Sequence, residues 1–270
     1  MPEIEINSRP GISTTLFYLD ENPKAEACVV LLHGLGADSS SWGYQIEALR
    51  QAGMRCIVPD IPGFGKSVFT GRGWNVALAA QVLADWLRQL ALPAVDLVGI
   101  SMGGAVALQL VLDAPERIHR LVCVNTFGCL RPKRPNELFY LLMRYVKANL
   151  KGVEAQAQMV ALRIFPEEEQ EPLRQILIEQ ILQADPTVYR AAMRSLGLFN
   201  VRKRLGEIHK TTLVITGEND TTVPLASQAE LVHGIEGARQ VMIPHSGHAV
   251  IADQPVAFNA ALLEFLLNTT

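Results

Sequence analysis

In the stretch VDLVGISMGGAVAL, residues 95–108, a serine stands between two glycines where an apolar strand-like run gives way to an apolar helix-like run. The pattern Gly99-Ile100-Ser101-Met102-Gly103 has the spacing of a tight strand-to-helix turn that lifts a serine hydroxyl clear of a sheet. In such a turn, side chains two residues before and two after the serine would strike neighbouring backbone. Gly99 and Gly103 avoid that clash, and Gly104 adds room. Ser101 would then stand at the N-terminus of the new helix, where unpaired backbone N–H groups point toward it. A serine hydroxyl is a weak nucleophile until a base takes its proton. The chemistry implied therefore needs a histidine, and a carboxylate to hold that histidine.

The chain has six histidines. His119, His209 and His233 lie in polar stretches that read as surface, and His33 ends an apolar run beside Gly34. His245 and His248 follow the last strand-like run, in IPHSGHAV. His248 falls just before the final helix-like segment, on a loop at the strand's carboxyl end, and is the preferred base, with His245 as its rival. For the acid, LVITGENDTTVP puts Asp220 three residues past a strand, with Glu218 as its rival. Asp220 fits the chain order serine, acid, histidine. Asp60, in PDIPGFGKS, reads better as a turn carboxylate that ties down the loop at Pro62 and Gly63.

The elements that must position these residues alternate. Strand patterns fall at EIEI (3–6) and TTLFYL (14–19), with Pro10-Gly11 as a turn signal between them. They continue at CVVLLH (28–33), RCIVPD (55–60), VDLVGI (95–100), RLVCVN (120–125), TLVITG (212–217) and RQVMIP (239–244). Helical patterns fall at 43–52, 77–90, 102–113 and near 256–267. Strands that are apolar throughout and alternate with helices predict an α/β fold with a mostly parallel sheet covered on both faces. From about Gly128 to Phe199 only helical patterns occur, punctuated by Gly152, Pro166 and Pro186. We therefore expect a core of residues 1–127 and 200–270 and an all-helical insertion over 128–199 that roofs a crevice at the carboxyl ends of the strands.

Composition bounds the remainder. A length of 270 residues suits one large α/β domain with an insertion. The net charge of -3 gives no bulk attraction to nucleic acid. No apolar run approaches the roughly 18 residues of a membrane span. The opening MPEIEINSRPG reads as neither a secretory signal nor a transit peptide, so a cytoplasmic location is expected. Cys28, Cys56, Cys123 and Cys129 form no CxxC pair, and no histidine cluster has zinc-ligand spacing; free thiols and no metal are expected.

Four stretches together resemble the α/β-hydrolase superfamily: HGLGADSSSW (33–42), DIPGFGKS (60–67), GISMGG (99–104), and TGENDTTVP with HSGH near the end. They run in the family's order over nearly the whole chain. The resemblance implies an eight-stranded, mostly parallel sheet with a helical cap inserted after the sixth strand. It implies a triad of Ser101, Asp220 and His248. It also implies an oxyanion hole made by the backbone amides of Met102, the residue after the nucleophile, and of Leu35, the third residue of His-Gly-Leu. Asp253, in IADQP, stands where many members carry Glu.

Trp42 is expected to line the acyl side of the pocket or to fill core. In the inserted segment Phe139, Leu142, Met143 and Val146 are spaced to share a helix face, opposite Arg144, Lys147 and Lys151. That face predicts a helix packed on the sheet domain, with Phe139 and Met143 as pocket candidates, or else a lid touching lipid interfaces. The basic cluster Arg131, Lys133 and Arg134 reads as solvated surface. The reading is a serine hydrolase acting on small-molecule carboxylic esters of small to medium acyl groups, with no metal or organic cofactor. An enol-lactonase, a C–C bond hydrolase or a cofactor-free perhydrolase would use the same three residues. Relatives with an aspartate nucleophile are disfavoured because position 101 is Ser. A non-catalytic small-ligand receptor on this fold is the reading of another class.

Overall fold

A computed structural model describes residues 2–9, 12–130, 138–139, 142–143 and 152–268. The strands are β1 (Glu3–Arg9), β2 (Ile12–Glu21), β3 (Cys28–Leu32), β4 (Arg55–Pro59), the two-residue β5 (Val68–Phe69), β6 (Val95–Ile100), β7 (Ile118–Val124), β8 (Thr211–Gly217) and β9 (Arg239–Ile243). Among the described residues the α-helices of four residues or more are α1 (Gly43–Gln51), α2 (Val76–Gln89), α3 (Met102–Asp113), α4 (Gly152–Ile164), α5 (Glu171–Gln183), α6 (Pro186–Leu198), α7 (Leu225–Gly234), α8 (Val250–Asp253) and α9 (Pro255–Leu267). The sheet order is β1-β2-β4-β3-β6-β7-β8-β9, with β5 paired to β2. The pairs made by β2 are antiparallel, and every pairing from β4 to β9 along that order is parallel.

The central strands are where they are because they are apolar on both faces. Every residue of β3 and of β6 is buried. Along β3 the side chains alternate: Cys28, Val30 and Leu32 join one core with α2 and α3, while Val29 and Leu31 join a second core with α1 and α9. Helical spacing sets Val82, Leu83, Trp86 and Leu90 on one face of the 77–90 segment; the first three are buried in the first core, and Leu90, partly buried, packs against it. Arg120 on β7 forks onto Asp96 on β6, at 2.9 and 2.7 Å, joining two central strands near their starts.

This strand order creates the site. The chain runs from β3 outward to β4, then crosses back through α2 to β6 on the other side of β3. The segments leaving the carboxyl ends of β3 and β6 therefore diverge at a topological switch point, where an open α/β sheet leaves a crevice. Those two segments carry Leu35 and Ser101.

Between β7 and β8 the described residues are mostly helical. The chain leaves and re-enters the sheet region side by side: Cys129 bridges Asn200, and Val201 N–H donates to Gly128 O at 2.8 Å. Helices α4, α5 and α6 do not form a core apart. Ala157, Val160, Ile181, Val188, Tyr189 and Ala192 are buried in the same apolar cluster as α2 and α3. Contact with the sheet loops is close enough to demand glycine. At Gly36, with φ +80°, an added Cβ would lie 2.6 Å from Ile181, and at Gly63, with φ +82°, 2.6 Å from Val188.

Two expectations about apolar residues need correction. Trp42 fills core and does not line the cavities described below: it is fully buried among α1, α9 and the sheet, tilted against Phe258 with ring centroids 6.3 Å apart. Residues 138–139 and 142–143 are helical, as the spacing predicts, but Leu138, Phe139 and Leu142 are 60%, 63% and 56% exposed. They are not packed on the sheet, and neither Phe139 nor Met143 lines those cavities. Val146, the basic residues Arg131, Lys133, Arg134, Arg144, Lys147 and Lys151, and the Pro10-Gly11 turn lie outside the described residues.

Trp42 should therefore matter for stability and not for substrate. Trp42→Ala should cost about 3–5 kcal/mol in urea unfolding. Trp42→Phe should cost less, and KM for any substrate turned over should stay within about twofold; a large rise in KM would return Trp42 to the pocket.

Candidate active site

Ser101 has φ 53° and ψ -113°, a backbone conformation that side-chain-bearing residues rarely adopt and that costs on the order of 1–3 kcal/mol. Its surroundings over-determine it. A Cβ at Gly99 would fall 2.4 Å from Gly103 O, and one at Gly103 would fall 2.2 Å from Leu32 O. At Gly104 it would press on Thr126 at 2.5 Å. The turn is clamped by hydrogen bonds from Ser101 N–H to Val124 O at 3.0 Å and from Thr126 Oγ1 to Ser101 O at 2.7 Å. The glycines predicted from the sequence are thus sterically required, and β7 supplies the clamp.

His248 and Asp220 come together, and their rivals do not join them. His248 Nδ1 lies 3.0 Å from Asp220 Oδ2, both side chains being nearly or fully inaccessible to solvent. Asp220 also accepts from Gln228 Nε2 at 3.0 Å, and from the backbone N–H groups of Thr222 and Val223 at 2.8 and 3.0 Å. Because a carboxylate oxygen only accepts, Nδ1 must carry the ring proton, which leaves a lone pair on Nε2. His245 is exposed, and its backbone N–H donates to the other rival, Glu218, at 3.1 Å. Asp60 is a structural tie. It accepts from Ser39 N–H at 2.7 Å and Lys66 N–H at 2.8 Å, joining the loops after β3 and β4.

The loop after β3 passes beside Ser101: a Cβ built on Gly34 would lie 3.8 Å from Ser101 Cβ. Among the described residues, the amides of Leu35 and Met102 carry no hydrogen bond. Met102 opens α3, so its N–H is one of the donors every helix start leaves unpaired. His33 holds this loop in place. Its Nε2 accepts from Ile61 N–H at 2.8 Å, so Nδ1 must be protonated, and Nδ1 donates to Gly34 O at 2.8 Å. Complete burial pushes the His33 imidazole below its usual range, which keeps this neutral tautomer in place.

Two cavities meet at Ser101. The larger, of about 550 Å³, is lined by Ser101, His248, Leu35, Val160, Ile176 and Leu177 among others, and no Asp, Glu, Lys or Arg is among its described lining residues. The second, of about 390 Å³, shares Leu35, Ser101 and Thr222, and adds Phe127, Met193 and Arg194. No hydrogen bond joins the Ser101 hydroxyl to the His248 ring; the two face the same larger cavity. Among the described residues, no group of three or more His, Cys, Asp or Glu could hold a metal ion, and no helix is long and apolar enough to cross a membrane. All four cysteines are buried and unpaired; burial pushes the Cys28 thiol up to about 11 and Cys123 up to about 12.

The profile of the alpha/beta hydrolase family matches residues 29–261, a span that takes in the Ser101 turn, Asp220 and His248 together. The chain belongs to the α/β-hydrolase family. It is 32% identical over 288 aligned positions to a 2-hydroxy-6-oxo-6-phenylhexa-2,4-dienoate hydrolase of Burkholderia cepacia, covering 98% of this chain and 96% of the relative. Among solved structures it is similar to a bromoperoxidase of Bacillus anthracis, with a TM-score of 0.90 and 25% identity over 99% of this chain and all of the other. It shares the fold of an enol-lactonase of Burkholderia xenovorans, with a TM-score of 0.87 and 24% identity over 99% and 100% of the two chains. As a member of this family the chain is a hydrolase of the α/β fold, with a mostly parallel sheet and helices on both faces.

Sequence reasoning missed three of the polar groups around Ser101 and Asp220. Gln228 sits on α7, a helix not anticipated, eight residues beyond the carboxylate it meets. Asn125 and Thr126 directly follow an apolar strand, as Ser101 does, and that placement was the one available signal.

The His33 arrangement has a pH signature. The folded chain binds the His33 proton less readily than the unfolded chain does. This group's contribution to stability is therefore complete above the free imidazole value, about 6.5, and is lost as the pH falls below it. Between about pH 7 and about pH 5.5, urea unfolding should show wild type losing more stability than His33→Asn, by at most about 1.4 kcal/mol per pH unit. An identical response in both proteins would show that His33 is not held neutral.

Proposed function

We propose that this α/β-hydrolase cleaves carboxylic esters of small to medium acyl groups through an acyl-enzyme on Ser101. The observation that carries the reading is the strained Ser101 turn, which faces one cavity with a His248 whose Nδ1 is held by Asp220. Ser101 Oγ attacks the ester carbonyl while His248 Nε2 takes its proton. The Leu35 and Met102 amides hold the resulting oxyanion; one such donor is typically worth about 3 kcal/mol. His248 returns the proton to the departing alcohol. Water, deprotonated by His248, then attacks the acyl-enzyme, and the carboxylic acid leaves as Ser101 regains its proton. Asp220 fixes the tautomer and stabilises the imidazolium.

The larger cavity supports an uncharged, largely apolar group on the side that reaches His248, since its described lining offers no Lys or Arg to a carboxylate. Helices α4 to α6, whose Val160, Ile176 and Leu177 line the larger cavity, act in this reading as the described part of the cap expected over 128–199. A second reading, hydrolysis of a C–C bond with the same three residues, is favoured by the likeness to the dienoate hydrolase.

A p-nitrophenyl ester series of graded chain length, run beside a 2-hydroxy-6-oxo-dienoate, separates the two readings: faster turnover of the dienoate would reverse their order. Ser101→Ala should lower ester turnover by about 10⁴-fold or more, and near-wild-type turnover would remove Ser101 from the reaction. An organophosphate should add to Ser101 in peptide mass spectrometry. Tight binding of small ligands with no turnover of any ester or dienoate would favour a receptor.

A further inference from the structure

Asn125 is fully buried, follows β7 directly, and has φ 41°, in the left-handed region. Its backbone N–H donates to Ile215 O on β8 at 3.0 Å. Its side-chain Oδ1 accepts from Gly217 N–H at 2.8 Å, and its Nδ2 donates to Gly247 O at 3.0 Å and His248 O at 2.7 Å. The amide can face only one way, because reversal would set NH₂ against an N–H and oxygen against two carbonyls. Gly217 begins the turn that presents Asp220, and Gly247-His248 is the segment that carries the base. The residues flanking Asn125 hold the nucleophile: Val124 O accepts from Ser101 N–H, and Thr126 Oγ1 donates to Ser101 O. All three loops of the site therefore converge on residues 124–126.

The base loop is gripped from its other side as well. Asp253 accepts from Gly247 N–H at 2.7 Å and from Ser246 Oγ at 3.0 Å, while a Cβ at Gly217 would fall 2.2 Å from Gly247 O. Few side chains could serve at 125. The left-handed backbone favours Gly, Asn or Asp. Of these, Gly has no side chain, and an ionised Asp cannot donate to the two carbonyls.

We propose that Asn125 is a positioning residue that sets the reach of His248 between Asp220 and Ser101, by tying the base loop to the acid loop and both to the strand that clamps the nucleophile. The proposal rests on the serine-hydrolase reading for its catalytic consequence, since a misplacement near 1 Å in such a site can cost about 100-fold in rate.

The test uses Asn125→Asp, which keeps the backbone and the acceptor for Gly217 but loses both donations, and Asn125→Gly, which keeps the backbone and loses all three bonds. On a p-nitrophenyl ester, each should lose about 100-fold in kcat with KM within about threefold. The low-field Nδ1 proton resonance of His248, which reports its bond to Asp220, should shift or vanish in both. Trp42→Phe is the comparison: it lowers stability and should leave kcat and that resonance unchanged. Folded Asn125 variants with wild-type kcat and an unmoved resonance would overturn the proposal. So would activity losses that only follow the unfolded fraction. If neither variant folds, the wild-type protein decides, because the Asn125 side-chain amide protons should exchange slowly with solvent, and rapid exchange refutes the clamp. The resonance is read without turnover, so it judges Asn125 even if Ser101→Ala shows the ester reading to be wrong.

Discussion

The left-handed turn at Ser101 is the constraint on which the rest depends. A serine with φ 53° is unfavourable by itself, and nothing at the turn would maintain it if the neighbouring strands could drift. They cannot, because β6 is buried along its full length and bonded on both sides, to β3 and to β7. The helix that follows starts against the end of β3 at a distance only glycine allows. Core burial thus fixes the backbone, and the fixed backbone presents the hydroxyl. The strain is local and the compensation is distributed through the sheet.

The switch point turns that local feature into a site. Because β3 lies between β4 and β6, the loop carrying Leu35 and the turn carrying Ser101 leave the sheet as neighbours. His33 and Asp60 then lock the first loop from below, one with a neutral imidazole and the other with a carboxylate that accepts two backbone amides. The helices between β7 and β8 complete the enclosure, since Val160, Ile176 and Leu177 face the same cavity as Ser101 and His248. Their buried residues belong to the core shared with α2 and α3, so the roof depends on the sheet for its own stability.

Much of this was legible in the order of the amino acids, and the limits of that legibility have physical causes. The central strands announced themselves because full burial demands continuous apolar runs, and VDLVGI coincides with β6. Gly99 and Gly103 were legible because a steric requirement leaves no alternative residue. His248 could be ranked above His245 by position alone, and the structure separates them by burial and by partner. Trp42 and Phe139 were ambiguous for one shared reason. Core, cavity wall and partner surface all select large apolar side chains, so residue type does not distinguish among them. Strand β5 has only two residues, too few for alternation to register. Gln228 and Asn125 escaped because their contacts join distant parts of the chain, and no periodicity connects position 125 with 217 or 248.

The side chains that brace the loops around Ser101 share a property that bears on how one framework can host different substrates. Asn125, Thr126, Asp60 and His33 all act on backbone atoms: the carbonyls of Ser101, Gly247, His248 and Gly34, and the amides of Gly217, Ser39, Lys66 and Ile61. Asp220 likewise takes two of its four donors from the main chain. A loop held by its backbone keeps its path whatever side chains it presents. The side chains facing the cavity are then free to change without moving Ser101, His248 or the amides of the proposed oxyanion hole. In the proposed reading, recognition falls to the cavity walls, to which α4 and α5 contribute, and reactivity to the sheet ends. In the proposed reading, position of attack and choice of substrate are physically separable, because backbone hydrogen bonds fix the loops while side chains of the loops and of α4 and α5 line the cavity.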